Sequence, residues 1–160
     1  MSKRFDRSGW GTKAAAVRRF SSGDLLSLPV RLHGIELGRP VALILELEAM
    51  RLLGLEVRCP DDAHRFLPLA AARIGESEIA IGSSLLLLDE LPFYRARGRS
   101  LQALRGWAVE TAGAAAGALK DVLVGEDGQI ERLVVDGPAG ELRVRVDAAV
   151  KIHERRAPAA

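Results

Sequence analysis

A short arginine-rich stretch near the middle of the chain carries the side chains best suited to hold another molecule. It contains Arg95, Arg97, Arg99 and Arg105, with Tyr94 directly before the first of them. Guanidinium groups bind phosphates and carboxylates through paired hydrogen bonds, and aromatic rings stack on nucleic-acid bases. These five residues are therefore the candidate contacts with a nucleic acid or with a partner protein.

A plainer interpretation of the same stretch is a solvated linker whose arginines pair with Asp89, Glu90 or the second half of the chain. A basic patch alone is weak evidence for nucleic acid. Residues 1–19 add six basic side chains against one acidic one. That composition is found in tails that touch nucleic acid or acidic membranes, and also in mobile, solvated termini. The sequence leaves both interpretations open.

No other set of side chains has the spacing of a reactive site. His64 lies five residues after Cys59 and close to two aspartates, but a structural zinc site usually needs four well-spaced ligands and only one soft ligand is present. Residues 113–117 lack the lysine of a phosphate-binding loop. We therefore expect no metal, no cofactor and no enzymatic activity. Three serines without a partnered histidine and acid are interpreted as helix caps: Ser83, Ser84 and Ser100.

The composition is that of a soluble globular protein. The 160 residues are 48% hydrophobic and 28% charged, which allows one domain or two small ones. The single cysteine excludes an internal disulfide. No apolar run approaches the roughly 20 residues of a membrane span, and the charged N-terminus lacks the apolar core of a signal peptide. We therefore expect a cytoplasmic protein without a membrane span.

The chain contains an internal repeat. When the sequence is shifted by 78 positions, residues 41–74 align without a gap with residues 119–152 and show nine identical pairs. Composition alone would give roughly two or three. Because a unit of about 70 to 80 residues buries only a modest fraction of its surface, we expect two units that share an interface. The identical pairs include Leu45 with Leu123, Leu55 with Leu133, Val57 with Val135, and Arg65 with Arg143.

Apolar side chains at every second position in both copies indicate β-strands with one buried face. Leu55 and Val57 in the first copy, with Leu133 and Val135 in the second, are the predicted core. The clearest alternation is over residues 142–147, where three apolar residues alternate with two arginines and an aspartate. In the first copy, four residues are predicted to share one face: Val41, Leu43, Leu45 and Leu47.

Turn and cap residues predict how these strands are connected. Asp127-Gly128 predicts a two-residue hairpin turn in the second copy. Ala49 and Met50 stand at the matching positions of the first copy and tolerate positive φ poorly, so that hairpin is expected to turn differently. A helical turn over residues 85–88 is expected to stop or kink at Pro92 and to be buried between the two halves.

These patterns predict an all-β protein made of two small β-barrels in tandem, joined by a short helical linker. The predicted divisions are a disordered basic tail over residues 1–23, a first barrel over 24–82, a linker over 83–105, a second barrel over 106–153 and a disordered tail over 154–160. The expected assembly is either a monomer whose two barrels are related by a pseudo-twofold axis, or a homo-oligomer.

The second copy resembles the opening of a PRC-barrel domain. The resemblance rests on residues 117–124, on Asp127-Gly128 and on residues 133–135. That family is named for the cytoplasmic domain of the photosynthetic reaction-centre H subunit, and it also supplies the C-terminal half of a bacterial small-subunit ribosomal maturation factor. The first copy resembles it more loosely, through Gly38 and residues 41–46, 54–57 and 66–68.

The resemblance covers about residues 28–152 and implies a small β-barrel that acts as an adaptor, with no catalytic residues to transfer. From the sequence we expect neither the membrane helix of the reaction-centre subunit nor the extra N-terminal domain of the maturation factor, so neither of those roles is carried over. Two functions are therefore expected from the sequence. The first is a non-enzymatic adaptor that docks a protein partner of unknown identity on an exposed barrel edge or between the barrels. The alternative is an RNA- or ribosome-associated protein that uses its basic tail and its arginines.

Overall fold

A computed structural model describes residues 18–154, so the predictions for residues 1–17 and 155–160 lie outside the described residues. The predicted all-β class is confirmed, since strands dominate this range and the helices are short. The α-helices are α1 (Ser22–Leu26), α2 (Leu91–Arg97) and α3 (Leu101–Leu104). The strands are β1 (Arg19–Ser21), β2 (Val30–Leu32), β3 (Ile35–Glu46), β4 (Arg51–Arg58), β5 (His64–Pro68), β6 (Ala72–Ile74), β7 (Ile79–Ile81), β8 (Arg99–Ser100), β9 (Ala108–Thr111), β10 (Ala114–Gly125), β11 (Ile130–Gly137), β12 (Gly140–Arg145) and β13 (Val150–His153).

The strands form two sheets that enclose a shared apolar core. The first sheet has the order β5-β4-β3-β2-β7-β6, with β8 paired to β3, and the second has the order β12-β11-β10-β9-β13, with β1 paired to β10. The predicted core is confirmed, because Leu55, Val57, Leu133 and Val135 are completely buried in one continuous cluster. The sheets differ at their far ends, where β7 runs parallel to β2 while β13 runs antiparallel to β9.

The long hairpins β3–β4 and β10–β11 have the same register and the same irregularities. Leu43 lies opposite Leu55 in the first, and Val122 lies opposite Leu133 in the second. Each ladder is interrupted twice by a shift typical of a β-bulge, at corresponding places. The shifts follow Pro40 and Ile44 in the first hairpin, and Leu119 and Leu123 in the second.

The offset between the two copies changes along the chain, so the gapless shift of 78 holds for one strand only. In the strand ladders, equivalent residues differ in number by 79 between β3 and β10, by 78 between β4 and β11, and by 77 between β5 and β12. The first copy has one extra residue after β3 and another after β4. Leu55 and Leu133 are therefore true counterparts. Leu45 corresponds to Val124 and not to Leu123, as the sequence alignment had it.

A bulge also corrects the predicted face of β3. Val41 is the extra residue between Pro40 and Ala42, which both pair with β4. An extra residue reverses the alternation of side chains upstream of it. Val41 is accordingly 41% exposed, whereas Leu43 and Leu45 are buried.

Each half begins with a short strand that pairs with the long strand of the other half. In the β1–β10 pair Ser21 lies opposite Leu123, and in the β8–β3 pair Ser100 lies opposite Ile44. Because Ile44 and Leu123 are counterparts, the exchange is reciprocal, as a twofold relation between the halves requires. Residues 19–23, assigned from the sequence to the tail, thus form β1 and the start of α1.

The segments that follow the exchanged strands match as well. Ser21 caps α1 and Ser100 caps α3, and each side-chain oxygen accepts the N–H of the third helical residue, at 3.1 and 3.2 Å. Leu25 and Leu104 then enter the core and are completely buried. The repeated unit therefore begins at β1 and at β8, upstream of both predicted domain starts.

The loops of the two long hairpins meet across the molecule. The N–H of Leu52 donates to the carbonyl of Gly128 at 2.7 Å, and the N–H of Ile130 donates to the carbonyl of Met50 at 2.9 Å. The twofold relation between the halves converts each of these hydrogen bonds into the other, since Leu52 corresponds to Ile130 and Met50 to Gly128. The two loops form a second reciprocal connection between the halves.

The loop conformations differ from those predicted. Asp127 and Gly128 are the last two residues of a three-residue loop, closed by the N–H of Gly125 donating to the carbonyl of Gln129 at 2.9 Å. The first hairpin does turn differently, with one residue more. Met50 nevertheless has a positive φ of 47°, compared with 88° for Gly128. A residue with a side chain thus adopts the left-handed backbone conformation there, contrary to the expectation from the sequence.

The stretch between the predicted barrels is packed onto the first sheet. Ser83 caps a 3-10 turn over Ser84–Leu86, as expected from the sequence. Pro92 lies in the first turn of α2 instead of ending a helix. The leucine run is buried only in part: Leu86 and Leu87 pack against the shared core, whereas Leu85 is 83% exposed and Leu88 packs in a small cluster on the outside of the first sheet.

Candidate partner-binding site

Residues 83–97 form a cover segment that passes around the β5 edge of the first sheet. Leu86 and Leu87 pack against the shared core, whereas Leu88, Leu91 and Tyr94 pack on the outer face, which is turned away from that core. The N–H of Phe66 donates to the carbonyl of Leu88, and the N–H of Leu88 donates to the carbonyl of Phe66, both at 2.8 Å. This antiparallel bridge occupies the free edge of β5. Arg65 holds the next residue of the cover segment through an ion pair with Asp89 at 3.0 Å.

Tyr94, a predicted contact, is used internally. Its ring stacks on that of Phe66, with centroids 3.9 Å apart and planes within 8° of parallel. Phe93 meets the Tyr94 ring edge-on at 5.1 Å. With Ile44 and Leu91, the rings of Phe66 and Tyr94 form a small apolar cluster separate from the main core. One face of the Tyr94 ring is therefore covered by Phe66 and is closed to a base.

Arg95 is held by a buried carboxylate on the outer face. Glu56 is only 7% exposed and accepts hydrogen bonds from Arg95 at 2.7 and 3.2 Å, while its other oxygen contacts Nδ1 of His64. Burial alone would raise the pKa of Glu56, but the hydrogen bonds with His64 and Arg95 outweigh it and hold that pKa below its ordinary value. Arg95 thus fastens α2 to the sheet.

Arg97 and Arg99 lie over aromatic rings. The guanidinium of Arg97 is 5.6 Å from the ring centre of Phe93, and that of Arg99 is 5.1 Å from the ring centre of Trp107. Arg95 and Arg99 both line a cleft of about 610 Å³ between the outer face of β3 and the segment from α2 to α3. An adjoining cleft is lined by Arg95, Arg97 and Arg99 together, so three of the predicted arginines share one surface.

Arg105 lies apart from the other candidates. Its side chain donates to the carbonyl of Lys120 at 3.1 Å and to Oγ of Ser22 at 3.3 Å. These contacts bind α3 to β10 and to the start of α1. The five residues singled out in the sequence are therefore not brought together as one set.

In the part of the chain that the structure describes, the corresponding surface of the second half has no cover segment. By the ladder registers, Arg143 takes the place of Phe66, Arg132 that of Gly54 and Arg145 that of Pro68. These three residues form an arginine cluster on the outer face. β12 is the terminal strand of its sheet, and five of its six residues are exposed. Within residues 18–154, no strand pairs with its free edge.

Sequence reasoning missed this cluster, although its signal was present. The alternation over residues 142–147 already placed Arg143 and Arg145 on the face opposite Leu142 and Val144. Arg132 could not be added, because its position opposite Arg145 depends on the register between β11 and β12. The missing information was that β12 is an edge strand.

The described part of the chain has no group of three or more acidic, histidine or cysteine side chains arranged to hold a metal ion. Cys59 is buried, and His64, its suggested partner in such a site, contacts Glu56. His64 corresponds to Glu141 in the second half, not to the apolar residue that a shift of 78 would assign.

No protein-family model matches this chain, and no curated protein shows significant similarity to it. Among residues 18–154, none of the helices has the length and apolar character needed to cross a lipid bilayer.

Proposed function

We propose that this protein is a non-enzymatic adaptor that holds an extended segment of a partner protein against the edge of β12. The proposal rests on a difference between two equivalent strand edges, those of β5 and β12. The β5 edge pairs with the chain's own Leu88, whereas the β12 edge, six residues long, is unpaired within the described residues. An exposed sheet edge offers main-chain donors and acceptors to an added strand.

The resemblance to PRC-barrel domains agrees with this proposal, because it implies a small β-barrel that acts as an adaptor. We infer that each half is a PRC-barrel-like unit. The matched strands β2 to β5 and β9 to β12 support this inference, and so does the reciprocal exchange of β1 and β8. The proposed setting is the cytoplasm, and the proposed assembly is a monomer with two related halves.

The alternative, RNA binding through Arg95, Arg97 and Arg99, has weaker support. Glu56 neutralises Arg95, and the ring of Tyr94 is stacked on Phe66 instead of standing free. A nuclease arm in the experiment below separates this alternative from the adaptor.

The test exploits the fact that Pro68 is the β5 counterpart of Arg145. A proline at that position is already compatible with the ladder, because the N–H it lacks would point away from the sheet. Arg145→Pro removes one outward N–H, while Arg145→Ala removes the same guanidinium and keeps the N–H. The full chain and both variants serve as baits in affinity purification from the native cell, with and without nuclease.

The adaptor predicts a protein partner that survives nuclease treatment and is recovered less well by Arg145→Pro than by Arg145→Ala. Equal recovery by the two variants would overturn the proposal. Loss of all partners on nuclease treatment would favour the RNA alternative.

A further inference from the structure

The arginine cluster places like charges side by side, although Glu141 on the same strand lies near enough to Arg143 to interact with its charge. Arg132 and Arg145 are directly opposite each other on β11 and β12, and Arg143 is two residues from Arg145 along the edge strand. Like charges directly opposite in a sheet are destabilising. Across residues 18–154, none of the three forms an ion pair. The nearby carboxylate of Glu141 is engaged by Lys120 at 2.7 Å.

The first half shows how a peptide sits on the equivalent surface. Its cover segment runs antiparallel to β5 and exchanges two hydrogen bonds with Phe66. It also places an acidic side chain, Asp89, on Arg65, which is on the opposite side of β5 from Phe66 and corresponds to Leu142. In the second half Arg143 occupies the position of Phe66. Its N–H and carbonyl therefore point away from β11 in the plane of the sheet, towards the free edge. The side chains that meet an added strand there are cationic instead of apolar.

From this comparison, and resting on the proposed function, we infer that the partner segment is an extended strand in which acidic and apolar residues alternate. It adds antiparallel to β12, with carboxylates on the guanidinium groups of the arginine cluster, which bind them in paired hydrogen bonds. Its apolar residues lie on the opposite face, beside Leu142, which is 37% exposed although it belongs to the inward side of β12.

A second copy of the chain fits this surface less well. Two β12 strands paired antiparallel about Arg143 would bring two Arg143 side chains directly opposite each other, which a sheet disfavours. In that register the edge disfavours a second copy and favours an acidic strand. Self-association and RNA binding are outcomes of the test.

The experiment uses the full chain and synthetic peptides followed by fluorescence anisotropy. One probe alternates glutamate and valine, and a second alternates lysine and valine. Two further glutamate–valine probes carry N-methyl groups, one on every glutamate nitrogen and the other on every valine nitrogen. In an antiparallel pair, residues whose side chains share the face of Arg143 point their own N–H at β12. Methylation on glutamate therefore blocks pairing, while methylation on valine does not.

We expect the glutamate–valine peptide to bind at least about tenfold more tightly than the lysine–valine peptide, and to weaken as salt is added. We also expect methylation of the glutamate nitrogens, and not of the valine nitrogens, to abolish binding. Replacing Arg143 and Arg145 together by glutamate should reverse the charge preference. Arg73→Glu, at an exposed arginine on β6 of the other sheet, is the matched control and should leave it unchanged.

Several results would overturn the inference. They are equal affinity for the two charge types, equal loss on methylation of either nitrogen set, no binding of either peptide, tighter binding of polyuridylate than of the acidic peptide, or a dimer in sedimentation that Arg145→Pro dissociates. The milder pair Arg143→Gln and Arg145→Gln, checked by thermal melting, guards against misfolding of the reversed variant. An unbiased charge preference together with a partner lost only in Arg145→Pro would overturn this inference and leave the adaptor standing.

Discussion

The outer faces of the two sheets have the same strand register but different side chains: at equivalent positions one is aromatic and covered, and the other is basic and exposed. In the first half Phe66 lies beneath Tyr94 and the cover segment, and in the second half its counterpart Arg143 lies in solvent. The inner faces have not diverged in this way, because Leu55 and Leu133 are buried alike. The shared core constrains one face of each strand, while the other face is free to acquire a cover in one half and a charged, open edge in the other.

The largest expected effect tests the equivalence of the inner faces. Val57→Asp and Val135→Asp each place an unpaired charge in the shared core and should cost on the order of 5 kcal/mol in unfolding free energy. Chemical denaturation of both variants measures this. Leu142→Asp, at a partly exposed position of β12, is the control and should cost less than about 1 kcal/mol. An unchanged midpoint for either valine variant would show that the buried faces are wrongly assigned.

The next effect tests the difference between the outer faces. Phe66→Ala removes a fully buried ring and its stack with Tyr94, and should cost about 3 to 5 kcal/mol. Arg143→Ala at the equivalent position should stay within about 0.5 kcal/mol of the parent. Thermal melting of the two variants makes the comparison. Similar losses for both would mean that the second outer face is also covered.

A smaller effect tests the loop contact between the halves. Gly128 has a φ of 88°, and a Cβ there would clash with the side chain of Leu69. Gly128→Ala should cost about 2 kcal/mol, from backbone strain and from displacement of Leu69. Gly113→Ala has a similar φ of 80° with nothing near the new Cβ, so it should cost only about 1 kcal/mol. Equal losses in denaturation would show that Leu69 moves aside freely.

The smallest effect concerns the carboxylate that fastens the cover segment. The pKa of Glu56 is lowered in the folded protein, so between the folded and unfolded pKa values the unfolded chain holds more protons and stability rises with pH. The contribution is complete above the ordinary value of 4.5 and is lost as the pH falls through the folded pKa. Glu56→Gln should cost about 1 kcal/mol at pH 7, since its partners are half exposed.

Denaturation of the parent and of Glu56→Gln across the acid range checks this sign. The difference between them should shrink below about pH 4.5, because glutamine does not titrate. A difference that is constant with pH would show that the hydrogen bonds of Glu56, and not its charge, fasten the cover segment.

The sequence predicted the repeated core because that information lies within single strands. Leu55 with Leu133 and Val57 with Val135 belong to β4 and β11, where the gapless alignment happens to be in register. The neighbouring strands are displaced by one residue in each direction, since the first copy has longer loops. A one-residue error reverses every side chain of a strand, which is why the outer faces could not be compared from sequence.

The candidate site depended on contacts that sequence spacing does not encode. Tyr94 and Arg95 were chosen because an aromatic ring and a guanidinium group can bind a nucleic acid. In the structure Phe66 stacks on the ring of Tyr94 and Glu56 pairs with Arg95, and both partners are distant in sequence. β1 and β8, at three and two residues, are too short to leave a periodic signal. Only the pairing of each with the other half reveals them as equivalent.

The reciprocal exchange of β1 and β8 constrains how the protein can be completed as it is synthesised. Arg19 pairs with Gly125, a residue that a ribosome adds roughly 5 to 20 s after Arg19, at about 5 to 20 residues per second. Until then β1 has no partner, and β3 waits in the same way for Arg99 and Ser100. The first half cannot close during translation before β8 is made, and a chain released before β8 would present two unsatisfied strands, β1 and β3, to its neighbours.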